Sequence, residues 1–209
     1  MNNVDYNELI TLEEAENLLR FVKRVYPGRF DGVEVYYGDD FAYYPEYLVI
    51  TIPEYFEDFE EEIGMNILKH VNDEFNAEFD YNLRVMSIQA VLHECGHHID
   101  FDSKFYLNTI EEYLEKDRAA RAEHDNLTEK FNKKVKKFVE KLDEYELSGE
   151  ENEETEFLLE ENRLELKDEE LAVDKLYRMI PSEYAADEFS ARFFMTYLRG
   201  YKKADYNVF

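Results

Sequence analysis

Apolar residues near the start of the chain recur at the three- and four-residue spacing of an amphipathic helix. This spacing joins Leu12, Ala15, Leu18, Leu19 and Val22. Thr11, with Glu14 three residues later, forms a capping box in front of them, which is a signature of a helix N-terminus. The pattern predicts a helix over residues 11–25, and Pro27 with Gly28 ends it.

Two short runs rich in β-branched and aromatic residues follow, at residues 33–37 and 47–52. A polar and aromatic connection separates them, so the two runs predict paired strands of a small sheet. We expect residues 47–52 to form an edge strand. An edge strand of this kind can hold an extended peptide by strand addition.

The next two apolar patterns have helical spacing again. They cover residues 54–75 and 84–101, and an Asn-rich and Asp-rich break separates them at residues 76–82. The pattern over residues 84–101 is the most periodic in the chain, which makes it the best-supported helix.

The second half of the chain is dense in Lys, Glu and Leu. Residues 104–147 contain neither Pro nor Gly, which predicts one or two long exposed helices. A polar loop at residues 148–156 and another helical run at residues 157–179 follow. Pro181 and Ser182 then begin a last helix over residues 183–198, with Ser182 as the predicted N-cap.

The composition excludes several classes of protein. Fifty acidic residues against 24 basic ones give a formal net charge of −26, which repels nucleic acid and anionic membranes. A basic protein partner would complement this charge, but solubility or adaptation to a salty host is the simpler explanation of it. The single cysteine cannot form an internal disulfide, and the N-terminal residues lack the pattern of a signal peptide. No apolar window is long enough to cross a bilayer. We therefore expect a cytoplasmic protein that binds neither nucleic acid nor membrane directly.

The segment VLHECGHHID, at residues 91–100, contains the pattern with the most specific chemistry. His93 and His97 are four residues apart, and side chains at that spacing lie on one face of a helix, so both imidazoles can bind one Zn²⁺ ion. Glu94 follows the first histidine and is placed to take a proton from a water molecule that zinc makes acidic. The pattern predicts a catalytic zinc site with Glu94 as general base.

Catalytic zinc normally has three protein ligands and a water molecule, so a third ligand must come from another part of the chain. His70 and His124 qualify by residue type, but each stands alone on its helix. A better candidate is Glu183, with Asp187 four residues later on the same helical face. Such a pair can supply one carboxylate to the zinc and another to accept the outer N–H of a ligand histidine.

Other polar residues near these positions have simpler interpretations. Glu170 and Asp174 repeat the spacing of Glu183 and Asp187, but they lie in a charged run of residues. The other side chains in the helix of Glu183 are mostly apolar or small, as expected of a buried helix. His98 and Cys95 point away from the face of the two ligand histidines. We expect His98 to be a packing or hydrogen-bonding residue and Cys95 to be a small buried side chain.

The HECGH motif and the downstream segment EYAADEFSARFFM together resemble the ImmA/IrrE-type metallopeptidases of the zincin group. Their pattern is HExxH followed by a helix of the form E-x-x-A-(N/D)-x-F-A-x-x-L-L-M, which is matched at Glu183, Ala186, Asp187, Phe189 and Met195. The resemblance implies His93, His97 and Glu183 as zinc ligands, Glu94 as base and Asp187 as the hydrogen-bond partner of His93. It also implies a peptidase of bacteria, phages or mobile elements, some of which cleave a transcriptional repressor.

The sequence as a whole predicts an α+β fold of the zincin type, with a small β-sheet, an active-site helix and a ligand helix. Residues 1–209 form one domain, and a long helical insertion at about 104–178 separates the two motifs by far more than the family's usual spacing. The predicted function is zinc-dependent hydrolysis of a peptide bond in an intracellular protein, such as a regulatory repressor. The alternative is an acidic, DNA-mimicking or protein-binding molecule on a non-catalytic zincin scaffold.

Overall fold

The computed structural model describes residues 8–55, 58–105, 110–148 and 153–198. Within these residues the fold is α+β, with six α-helices and a three-stranded sheet. The chain divides into two compact units, of which the first comprises Met1–Ile110 with Tyr184–Phe209, and the second comprises Glu111–Glu183. The predicted insertion at about 104–178 overlaps the second unit.

The first unit contains the sheet and most of the buried core. Its elements are α1 (Leu12–Val25), β1 (Glu34–Gly38), β2 (Ala42–Tyr44), β3 (Val49–Pro53), α2 (Asp58–Phe75) and α3 (Leu83–Phe105). A further helix, α6 (Pro181–Phe193), begins at the end of the second unit and continues in the first, where a π-helical turn, Phe194–Leu198, follows it. The predicted last helix is therefore present, although its final turn is widened.

Helix α1 begins at the predicted capping box. The Thr11 hydroxyl accepts a hydrogen bond from the Glu14 backbone N–H, and the Glu14 carboxylate accepts one from the Thr11 N–H at 2.8 Å. The buried face of α1 consists of Ala15, Leu18, Leu19 and Val22. Periodicity and capping thus both agree with the observed helix.

The sheet has the strand order β1-β3-β2, with β1 parallel and β2 antiparallel to β3. The two predicted strands are present and paired. The expectation that residues 47–52 form an edge strand is wrong, because β3 lies between β1 and β2, and Ile50 and Ile52 are fully buried. Strand β2 lies within the connection that separates the two predicted runs, and it forms one edge of the sheet.

Helix α3 is held by caps and by contacts with the N-terminal segment. Asn76, with φ of 50°, follows the end of α2 in the left-handed conformation that often ends helices. The Asn82 side chain then accepts a hydrogen bond from the Val85 N–H at 2.9 Å, which caps α3. Arg84 forms an ion pair with Glu14 of α1. These contacts fix the helix that carries the HECGH motif.

The second unit is a helical hairpin of α4 (Ile110–Ser148) and α5 (Glu153–Arg178). Lys134 forms an ion pair with Glu169, and the Tyr145 hydroxyl donates to Glu156 at 3.0 Å, so the two helices run antiparallel. The predicted loop at residues 148–156 is shorter than expected, because α5 already begins at Glu153. Residues 149–152 of that loop lie outside the described residues.

No helix in the described part of the chain combines the length and the apolar character needed to cross a membrane.

Candidate metal centre

His93, Glu94 and His97 lie together on α3. One potential ligand atom from each residue lies within 4.8 Å of the other two, and the two imidazole rings are 4.6 Å apart between centroids with planes at 89°. His93 and Glu94 are buried, and His97 is half-buried. The helix therefore brings the two predicted histidine ligands and the predicted base to one point.

The donor set of this group fits a zinc ion. Zinc binds imidazole nitrogen at about 2.0–2.1 Å, so two nitrogens on one ion lie within about 4.2 Å of each other. Potential ligand atoms of His93, Glu94 and His97 lie within 4.8 Å of one another, which is close to this limit. Imidazole and carboxylate donors are also the groups that catalytic zinc sites combine.

Asp187 of α6 orients His93. Its Oδ1 atom lies 2.7 Å from His93 Nδ1, and the aspartate is completely buried. A carboxylate accepts the Nδ1–H proton, so this contact favours the tautomer that has its lone pair on Nε2. The contact that the resemblance implies between Asp187 and His93 is present.

Close packing between α3 and α6 depends on Gly96, which lies between the two histidines. A Cβ atom at this position would lie 2.7 Å from Ala186 Cα and 2.8 Å from the Ala186 carbonyl oxygen. Only glycine allows this approach. Sequence reasoning did not single out Gly96, although a glycine inside a helix costs about 1 kcal/mol relative to alanine and is a signal of close packing.

Glu183 belongs to the second unit, and its carboxylate is held there by Arg121 of α4. The guanidinium Nη2 atom donates to Glu183 Oε1 at 2.7 Å, and Glu183 is only 3% exposed. Burial lowers the pKa of Arg121, but hydrogen bonds with Glu183 and Asp117 outweigh burial and raise that pKa above its ordinary value. Burial and the charge of Glu183 likewise raise the pKa of Tyr177.

The start of α6 is capped from another helix. Asp117 of α4 accepts a hydrogen bond from the Ser182 backbone N–H at 3.0 Å, and the Ser182 hydroxyl accepts one from Arg121 at 2.7 Å. The helix begins at Pro181, so the predicted N-cap role of Ser182 is wrong, and Asp117 satisfies the amide instead. Sequence reasoning missed both Asp117 and Arg121.

Among the described residues, the metal-capable group consists of His93, Glu94 and His97. Neither His70 nor His124 belongs to it. The role of Glu183 as third ligand stays a prediction, and so does the role of Asp187 toward a bound metal. Glu170, the alternative carboxylate, is exposed on α5, whereas Glu183 is buried.

His98 and Cys95 are packing residues, as expected. The His98 ring lies between the Tyr43 hydroxyl, 2.7 Å from Nδ1, and the Arg29 carbonyl oxygen, 2.6 Å from Nε2. Both ring nitrogens are thus used in hydrogen bonds that tie α3 to β2 and to the turn before β1. Cys95 is completely buried, and burial raises the pKa of its thiol, which keeps it neutral.

Comparisons with protein-family models, with curated proteins and with solved structures return no match for this chain.

Proposed function

We propose that this protein is a zinc-dependent metallopeptidase that hydrolyses peptide bonds of a protein substrate. The observation that supports it best is the buried cluster of His93, Glu94 and His97 on one helix, with His93 oriented by Asp187. A helix built only for packing has no need of two metal-binding side chains and a carboxylate at one point. The combination is typical of a site that performs hydrolysis.

Each side chain has a separate part in the proposed reaction. His93 and His97 would hold Zn²⁺ through imidazole nitrogen, and Glu183 would complete the ligand set. Zinc bound by these residues would polarise the scissile carbonyl group and acidify a water molecule. Glu94 would act as the general base, taking a proton from the attacking water and returning it to the leaving amine nitrogen.

We further propose that β2 is the strand beside which an extended peptide binds. It lies at one edge of the sheet, and Tyr43 in this strand is hydrogen-bonded to His98, the neighbour of His97. A peptide that adds to this edge receives backbone hydrogen bonds that do not depend on its sequence. A regulatory protein, such as a repressor, remains the proposed class of substrate.

The test is digestion of a complex peptide library by zinc-loaded protein, with products identified by mass spectrometry. Wild-type protein is expected to cleave, and Glu94→Gln is expected to retain its fold and lose cleavage by several orders of magnitude. Glu74→Gln, an exposed glutamate on α2, is the matched control and should cleave like wild type. Equal cleavage by wild type and Glu94→Gln would reject the proposed base. Zinc binding without any cleavage would favour the acidic binding-protein alternative.

A further inference from the structure

The helical hairpin of the second unit has a regular internal seam. On α4 the half-buried residues include Phe131, Val135, Phe138, Leu142 and Tyr145, and on α5 they include Leu159, Asn162, Leu166, Glu169 and Val173. Their spacing alternates between three and four residues, which is the pattern of two helices packed along a coiled-coil seam. The seam therefore accounts for one face of each helix.

A second apolar row lies on the opposite face of α5. Phe157, Leu164 and Leu171 recur at seven-residue intervals and are 63%, 55% and 50% exposed. Each follows a seam position, 155, 162 or 169, by two residues, which places it about 200° further around the helix. Leu158, which is 50% exposed, adjoins the row at its start. We call these four residues the outer stripe.

The outer stripe differs from ordinary exposed apolar residues in its periodicity. Single exposed leucines are common on protein surfaces and need no explanation. A row repeated every seven residues lies along one side of the helix and forms a narrow apolar strip, in which charged residues occupy the second position of each heptad. Within the second unit the inner seam already satisfies the packing of α5 on α4, so the outer stripe is free to receive another helix.

The charges around the outer stripe determine which kind of helix fits. Residues 156–175 contain eight acidic and three basic side chains. Beside the stripe lie four acidic residues, Glu160, Glu161, Asp168 and Asp174, and two basic ones, Lys167 and Lys175, so the rim is acidic on balance. A second copy of the chain would place one acidic rim against another, and the net charge of −26 adds to that repulsion. A helix with an apolar stripe and basic flanks complements both features.

We propose that the outer face of α5 is a docking surface for a basic amphipathic helix of a protein partner. The partner places its apolar residues on Phe157, Leu164 and Leu171, and its Lys and Arg side chains meet the acidic rim. None of the residues of this surface belongs to the cluster on α3, so its occupancy is measured by binding and needs no peptidase activity. If no helix binds this surface, the docking proposal fails and the proposed metal site is unaffected.

The test uses the full-length protein and a synthetic peptide of about three heptads, with Leu along one helical face and Lys and Arg elsewhere. A scrambled peptide of the same composition measures attraction by charge alone. The variant is Leu164→Gln with Leu171→Gln, which removes apolar contact without changing charge. The matched control is Leu127→Gln with Val139→Gln on α4, at positions that are 38% and 45% exposed. Binding is measured by titration calorimetry at about 0.15 M salt.

The periodic peptide is expected to bind wild type and control alike and to bind the stripe variant at least about tenfold more weakly. The scrambled peptide should bind all three proteins weakly. Equal binding of both peptides, or equal binding to wild type and stripe variant, would overturn the proposal. A wild-type dimer in sedimentation that the stripe variant converts to monomer would show that a second copy occupies the surface, and would also overturn it. Phe157→Gln provides a milder variant should the double substitution fail to fold.

Discussion

Asp187 Oδ1 lies 2.7 Å from His93 Nδ1, and no part of Asp187 is exposed to solvent. The two residues come from helices that are far apart in the sequence, so the orientation of His93 depends on the packing of α6 against α3. The carboxylate also selects the tautomer of the ring. A buried carboxylate beside a histidine of an HExxH pattern is therefore the feature that most distinguishes this helix from an ordinary packed one.

Asp187→Asn is expected to weaken zinc binding by about 10- to 100-fold, because the amide is a weaker acceptor for the Nδ1–H group and can also present its NH₂ group to the ring. The measurement is competition for zinc with a chelator of known affinity. Glu188→Gln, one residue later on α6, is the control and should bind zinc like wild type. A zinc affinity of Asp187→Asn within about twofold of wild type would contradict the proposed role.

Gly96→Ala is expected to destabilise the protein by about 1–3 kcal/mol, because the new Cβ would overlap the backbone of Ala186. This loss exceeds the gain of about 1 kcal/mol that alanine normally brings to a helix interior. Urea unfolding gives the value. Gly64→Ala on α2 is a useful comparison, because its Cβ meets the flexible side chain of Met86 and not backbone. If Gly96→Ala were more stable than wild type, α3 and α6 could move apart without loss of stability, and the expectation would be wrong.

Arg121→Ala is expected to lower the stability of the second unit by about 1–3 kcal/mol. This loss is smaller than that for breaking a completely buried ion pair, because the Arg121 side chain is 41% exposed and solvent screens the interaction. The substitution leaves the buried Glu183 carboxylate without its ion pair to Arg121 and removes a donor to Ser182. Lys116→Ala, which breaks a largely exposed pair with Glu112 on the same helix, should change nothing measurable. Hydrogen exchange of α4 amides distinguishes the two variants, and equal exchange rates in both would refute the expectation.

The stability of the protein is expected to fall at alkaline pH through Tyr43. Burial, followed by the charge of Asp102, raises the pKa of Tyr43 to about 12, whereas the unfolded value is about 10. The unfolded chain therefore loses this proton first, and the contribution of Tyr43 is complete below about pH 10 and lost toward about pH 12. Tyr43→Phe should flatten the decline of unfolding free energy in that window, and Tyr44→Phe on the same strand serves as control. Parallel curves for wild type and Tyr43→Phe would contradict this assignment.

The sequence predicts those parts of the site that depend on local geometry. Two histidines four residues apart face the same way on any α-helix, so His93 and His97 were identifiable without knowledge of the fold. Asp187 follows Glu183 by about one helical turn, and this spacing, together with the resemblance of its helix to a family pattern, predicts its role as partner of a ligand histidine. The helix boundaries of α1 likewise follow from a capping box whose partners are three residues apart.

Features that depend on packing between distant segments could not be read from the sequence. Arg121 lies in a long charged helix, where nothing local distinguishes it from other basic residues before its contact with Glu183 is known. Strand β2 has only three residues, and its pairing places β3 in the centre of the sheet. Asp117 caps a helix that begins far from it in the sequence.

The measurement that decides most directly on a zinc peptidase site is the zinc content of wild type, His97→Ala and Glu94→Gln proteins purified side by side. Wild type and Glu94→Gln should each hold about one zinc per chain, and His97→Ala should hold almost none, because His97 is a proposed ligand whereas Glu94 is the proposed base. Elemental mass spectrometry gives the ratio of metal to protein. Equal zinc content in wild type and His97→Ala, or loss of zinc from Glu94→Gln as complete as from His97→Ala, would contradict the assignment of these residues.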